Sequence, residues 1–188
     1  MPFRRMFILC YTRPPMEPPR KNIRLPAINY AGRGIHFLTL CCEFKRRPFL
    51  KSDFAHEIID DLRKYADQKQ FGIHAYCVMP DHLHMLAEGR DQSCDLLSFL
   101  KVFKQVTAYK YKSRTGKRLW QKKYYDHILR PSDSQDAVAW YIWLNPVRAN
   151  LCADHQTYPF AGSFTMPWPN QNPSNESWIP AWKQKRPT

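Results

Sequence analysis

An α+β fold is predicted: a ferredoxin-like βαββαβ antiparallel sheet with one added C-terminal helix. Two amphipathic helical stretches alternate with four apolar or aromatic strand-like stretches, and a Pro80-Asp81 turn joins the middle two as an antiparallel pair.

The first strand is "GIHFLTLCCEF", rich in aromatic and apolar residues. "SDFAHEIIDDLRKYADQKQ" follows as a helix, with Ser52 as its expected N-cap and Phe54, Ile58, Leu62 and Tyr65 at helical spacing. "FGIHAYCVM" and "HLHMLAE" form the central hairpin. "SCDLLSFLKVFKQVTAYKYKSR" is the second helix, with Leu96, Leu100, Phe103 and Val106 facing inward and Lys101, Lys104 and Lys112 facing solvent. "RLWQKKYYDHILR" reads as the fourth strand. A last helix begins after Pro131, where Ser132 and Gln135 have capping-box spacing, and it ends or kinks at Asn145 because Pro146 cannot continue the ladder. Lying outside the βαββαβ unit, this helix is free to cover an edge or a face of the sheet.

The chain has 188 residues, room for one domain with a real core. Eleven of the 16 prolines lie in the first 26 residues or after Gly162 and prevent regular structure there. The expected division is a basic, Pro-rich arm over 1–27, a folded body over 28–163, and a Pro/Trp-rich flexible tail over 164–188 in which Trp168, Trp178 and Trp182 are available to dock. Lys and Arg number 29 against 16 Asp and Glu, a net charge of +13, which points to a polyanion such as nucleic acid. No apolar run reaches the roughly 20 residues of a membrane helix, so a cytoplasmic protein without a membrane partner is expected. The six cysteines have no CxxC spacing and read as reduced structural thiols rather than a zinc ribbon. Cys41 and Cys42 should point to opposite faces of their strand.

Within "YCVMPDHLHMLAEG", His82 and His84 are i and i+2 on a strand, so both leave one face while Leu83 enters the core. Two imidazoles on one face can chelate a divalent ion, but an isolated H-x-H also occurs by chance and needs a third ligand. Tyr141 and Asn145, i and i+4 on the last helix, share a face. They offer an amide oxygen and a phenol; spacing alone equally allows Tyr141 to be one more core aromatic beside Trp140 and Ile142.

Between Tyr109 and Arg130, eight Lys or Arg residues are interleaved with Tyr109, Tyr111, Trp120, Tyr124 and Tyr125. Cations neutralise phosphates and aromatic faces stack on unpaired bases, a mixture suited to single-stranded or hairpin nucleic acid. The candidate contacts are Lys104, Lys110, Lys112, Arg114, Lys117, Arg118, Trp120, Lys122, Lys123 and Arg130.

These segments together resemble a known family. "VMPDHLHML" is similar to the HUH motif of the one-tyrosine transposases, and "WYIWLNPVRANL" resembles their nucleophile helix, Y-I-x-x-N-P-V-[KR]-x-x-[LV]. "RLWQKKYYDHILR" resembles the preceding segment and "RLPAINYAGRGIHFLTL" the family's opening. The subgroup most resembled is the REP-associated tyrosine transposases, relatives of the insertion-sequence-200-like enzymes, over about Arg24 to Ser163. The resemblance implies His82, His84 and Asn145 as ligands of Mg²⁺ or Mn²⁺, Tyr141 as the nucleophile, and a 5′-phosphotyrosine intermediate on hairpin DNA with single-stranded flanks. Tyr124 and Tyr125 are rival nucleophiles. Asp126 and His127 are candidates for orienting or DNA-contacting roles, with a structural role at least as well supported, and Asp81 reads as a turn residue. Two other readings stay open: a domesticated protein that binds a hairpin without cutting, and a metal hydrolase using activated water. Monomer and homodimer both stand.

Overall fold

A computed structural model of the chain describes residues 30–167 together with Trp178 and Ile179. The elements are β1 (Ile35–Cys41), α1 (Ser52–Gln68), β2 (Phe71–Met79), β3 (His82–Gly89), α2 (Leu96–Thr115), β4 (Tyr125–Ile128), α3 (Gln135–Trp143), α4 (Asn145–Arg148) and β5 (Ala161–Gly162). The sheet order is β4-β1-β3-β2-β5 with every pair antiparallel, the expected βαββαβ arrangement plus a short fifth strand beside β2.

Alternation along the strands divides the core in two. Leu38, Leu40, Val78, Leu83 and Met85 face α1 and α2, meeting Ile58 and Leu62 of the first helix and Phe99 and Phe103 of the second. Phe37, Cys77, Met79 and Leu86 face the opposite way, onto Val138, Ile142 and Trp143 of α3. The added helix therefore covers the second face and completes three layers. The register of β2 against β3 slips between Ile73 and Ala75. This bulge at His74 sends Ile73 and Ala75 to opposite faces although they are two apart.

Leu83 is fully buried between the two histidines in sequence. Leu83→Ala should lower unfolding stability by about 2–5 kcal/mol, the usual range for a buried leucine. Urea unfolding of the two proteins checks this, and a loss under about 1 kcal/mol would contradict the packing described.

Several local expectations are corrected. Lys51, not Ser52, occupies the N-cap of α1, and the Ser52 hydroxyl bonds Asp53 instead. The last helix is capped by Ser134, whose Oγ accepts from the Ala137 N–H, rather than by Ser132. The Asp133 carboxylate accepts the Arg130 N–H and so closes a turn that delays the helix. Val106 is half-buried, and Thr107 takes its place in the inward stripe of α2. Of the fourth strand's expected length only Tyr125–Ile128 pairs continuously; Trp120 makes an isolated bridge to Cys42. Gly116 ends α2 at φ 69° and donates to the Lys112 carbonyl, a left-handed position that suits glycine.

The kink before Pro146 falls at Leu144, with α4 restarting at Asn145. Packed structure continues past Ser163: Phe164 lies against Tyr76 and under the Arg63 guanidinium, and Thr165 bonds His74. The expected arm over 1–27 lies outside the described residues, as do Trp168 and Trp182. No helix among the described residues is long and apolar enough to cross a membrane.

Candidate active site

The antiparallel register places Thr39 beside His84 and Cys41 beside His82, so β1 and β3 present these four side chains from one surface. Above them α3 brings Tyr141, and the start of α4 brings Asn145. All six line a single cleft of about 440 Å³, together with Met79, Tyr125, Arg148 and Ala149. Cys42 turns into the opposite core, the opposed orientation expected for the cysteine pair.

Each histidine is oriented through Nδ1. Asp81 Oδ1 lies 2.6 Å from His82 Nδ1, and Thr39 Oγ1 lies 2.8 Å from His84 Nδ1. A carboxylate accepts only, so Asp81 holds the His82 proton on Nδ1 and leaves the Nε2 lone pair bare. The hydrogen bond from His82 is the main reason the Asp81 carboxyl sits below its ordinary range. Asp81 is therefore more than a turn residue: it sets the tautomer of its neighbour.

The two Nε2 atoms face each other at 3.1 Å. Two nitrogen donors held about 2.0–2.1 Å from one ion at roughly right angles would be about 3 Å apart, so this spacing suits a shared cation as well as a hydrogen bond. Among the described residues no three His, Cys, Asp or Glu side chains form a metal-holding group, so a third protein donor in this cleft would be a side-chain oxygen of another type, hydroxyl, phenol or amide. Asn145 qualifies. Its Nδ2 donates to the carbonyls of Tyr141 and Ile142, which fixes the amide's orientation and reserves Oδ1 as the acceptor. An imidazole, imidazole and oxygen set fits a divalent ion that also takes substrate oxygens.

The nucleophile candidates separate by face. Tyr141 is 8% exposed, with its ring against Phe37, Trp178 and Arg148. Tyr124 points to the other side of the sheet, packed on the α1/α2 core beneath Lys104, which removes it from the cleft. Tyr125 does line the cleft, and its phenol is pushed up to about 12, chiefly by burial and then by Asp126 and Tyr141. Burial likewise raises the Cys41 thiol. Asp126 accepts from the Tyr30 hydroxyl and His127 bonds Asp133, so both act in holding the structure together. Trp178, one of the tail tryptophans, seats its ring 5.1 Å from that of Tyr141 and 5.0 Å from that of Phe37.

The expected nucleic-acid contacts divide. Trp120 is a core residue, not a stacking platform: it packs against Phe49 and Phe103 and donates from Nε1 to Thr107 Oγ1. Lys110 pairs with Asp61 and Glu57, and Arg114 with Glu57, which offsets much of their charge. Lys104 donates to the Gln121 carbonyl. Lys112, Lys117, Arg118, Lys122, Lys123 and Arg130 are exposed. Arg148 was absent from the candidates, although the basic position of the quoted helix motif marks it.

Comparison with known proteins bears on the family and the fold. Residues 33–144 match the family model described as Transposase IS200 like. An uncharacterized protein of Haemophilus influenzae is 29% identical over 159 residues, covering 68% of this chain and 88% of its own. The REP-associated tyrosine transposase of Escherichia coli is 25% identical over 138 residues, covering 70% and 78%. Among solved structures, a REP-associated tyrosine transposase bound to a REP hairpin superposes with a TM-score of 0.60 at 22% identity, covering 70% of this chain and 78% of that one. At that identity the superposition establishes a shared fold.

Proposed function

Because the chain belongs to the IS200-like transposase family, we propose that it cuts and rejoins single-stranded DNA flanking a REP-like hairpin. Tyr141 is the nucleophile in this reading, and His82, His84 and Asn145 hold a Mg²⁺ or Mn²⁺ ion. The observation that carries it is the convergence of these four side chains, from β3, α3 and α4, on one cleft. A binding role alone requires none of them.

The chemistry follows from the residues. Tyr141 Oη attacks the phosphorus of a phosphodiester; the new O–P bond forms as the P–O3′ bond breaks. The phenol gives up its proton and the departing 3′ oxygen takes one up. The product is a 5′-phosphotyrosine that preserves the bond for attack by another 3′ hydroxyl, so no nucleotide triphosphate is consumed. Bound at the two imidazoles and the amide, the ion supplies positive charge to phosphate oxygens. Asp81 and Thr39 hold the two rings in orientation, and packing of α3 on Phe37 and Leu86 presents Tyr141. The exposed cations Lys112, Lys117, Arg118, Lys122, Lys123 and Arg130 supply salt-dependent affinity for the DNA backbone. Lys122 and Lys123 immediately precede the Tyr124-Tyr125 pair at the sheet's β4 edge.

The test is a denaturing protein gel after incubation with labelled hairpin DNA carrying single-stranded flanks. With Mn²⁺ the expected result is a labelled, protein-sized band that EDTA abolishes. Tight binding with neither band nor cleavage, across many hairpins, would replace the enzyme with a domesticated binding protein.

A further inference from the structure

We propose that Arg148 is a catalytic residue that grips the scissile phosphate from the side of the nucleophile helix; this rests on the reading of the cleft as a phosphodiester site. Arg148 ends α4 and lines the cleft with Tyr141 and the histidines. Its guanidinium carbon stands 4.2 Å from the Tyr141 ring centroid, and one Nη donates to the Tyr141 carbonyl.

Among the described residues the cation has no carboxylate partner. The ion pairs among the described residues occupy Arg90, Lys110 and Arg114 but not Arg148, and Arg148 is the one of these four that lines the cleft. Arg148 is exposed, so an anion entering the cleft can reach its guanidinium, and an exposed cation held by one carbonyl keeps donors free for it. Its five donors form a planar fork, so with one donor spent on the carbonyl others remain for an anion. Carboxylates and phosphates both match such a fork bidentately; in a cleft read as a phosphodiester site, the anion is the phosphodiester. As Tyr141 attacks, negative charge grows on the non-bridging oxygens, and a donor fixed beside the nucleophile stabilises that charge without rearranging. A purely structural role, tying α4 to the Tyr141 carbonyl, needs only a hydrogen-bond donor.

Two measurements test the assignment. In ¹⁵N-arginine-labelled Tyr141→Phe protein, which retains the ring beneath Arg148, the Arg148 guanidinium signal is identified by its loss in Arg148→Lys. It should move saturably on titration with thymidylyl-thymidine, a dinucleotide with one phosphodiester, and not with the uncharged methylphosphonate analogue. No movement, or equal movement with both, overturns the proposal. This readout needs no cleavage, so it judges Arg148 even if wild type forms no adduct and the transposase reading fails. In single-turnover assays on the otherwise wild-type protein, Arg148→Gln should slow adduct formation by roughly 100-fold, as for loss of one oxyanion donor. Hairpin affinity should change less than about threefold, with Arg148→Lys recovering part of the rate. An Arg148→Gln rate within about fivefold of wild type would also reject it.

Discussion

Tyr141→Phe should bind hairpin DNA as wild type does and form no covalent adduct at any metal concentration. The substitution removes one oxygen and keeps the ring, and it is the ring that meets Phe37, Trp178 and the Arg148 guanidinium. Folding and binding should therefore survive while the oxygen proposed to form the O–P bond is gone. Tyr125→Phe is the matched control because Tyr125 shares the cleft. Burial pushes its phenol up to about 12, and under the proposed assignment its loss should leave the adduct in place. An adduct on Tyr141→Phe that disappears in Tyr125→Phe would exchange the two roles. Cleavage by both variants without any protein-linked band would instead favour a hydrolase that uses activated water.

Much of this site could be read before any coordinates because it rests on local periodicity. His82 and His84 share a face by the two-residue repeat of a strand, and Tyr141 and Asn145 by the turn of a helix. The same two-residue repeat assigned Cys41 and Cys42 to opposite faces, but nothing local in the sequence says whether Tyr124 or Tyr125 meets the histidines. That choice is made by the pairing of β4 with β1, where Tyr125 stands opposite Thr39.

What could not be read depends on contacts distant in sequence. Trp120 looked like a stacking aromatic among lysines; its burial follows from Thr107, thirteen residues away on α2, which accepts its indole N–H. The charges of Lys110 and Arg114 were counted as DNA contacts, yet α1 sets Glu57 and Asp61 against them. The bulge at His74 shifts the alternation of β2, so that Phe71 and Ile73 before it but Tyr76 and Val78 after it serve the α1/α2 core. Ser132 satisfied the capping-box spacing, but the Asp133 carboxylate engaged the Arg130 N–H first and moved the helix start to Ser134.

His84→Ala and Asp81→Asn should fail by different amounts in one assay, and the difference separates a donor from the residue that orients one. His84→Ala deletes one of the two imidazoles facing each other at 3.1 Å, leaving His82 and an amide as the donor set. Adduct formation should fall by more than about 100-fold, beyond the range for outer partners of a metal site. Asp81→Asn leaves both imidazoles but removes the charge that keeps the His82 proton on Nδ1. The expected loss is about 10–100-fold in metal affinity, seen as a shift of the Mn²⁺ half-saturation point to higher concentration with the plateau regained. A reduced plateau at unchanged half-saturation would mean that Asp81 acts on DNA or fold rather than through His82. A curve superimposed on wild type would return Asp81 to the plain turn residue that its place after Pro80 suggests. Because Asp81 and His82 are adjacent, the hairpin turn that joins β2 to β3 also orients the cleft, so the geometry of that turn and the tautomer of His82 are set together.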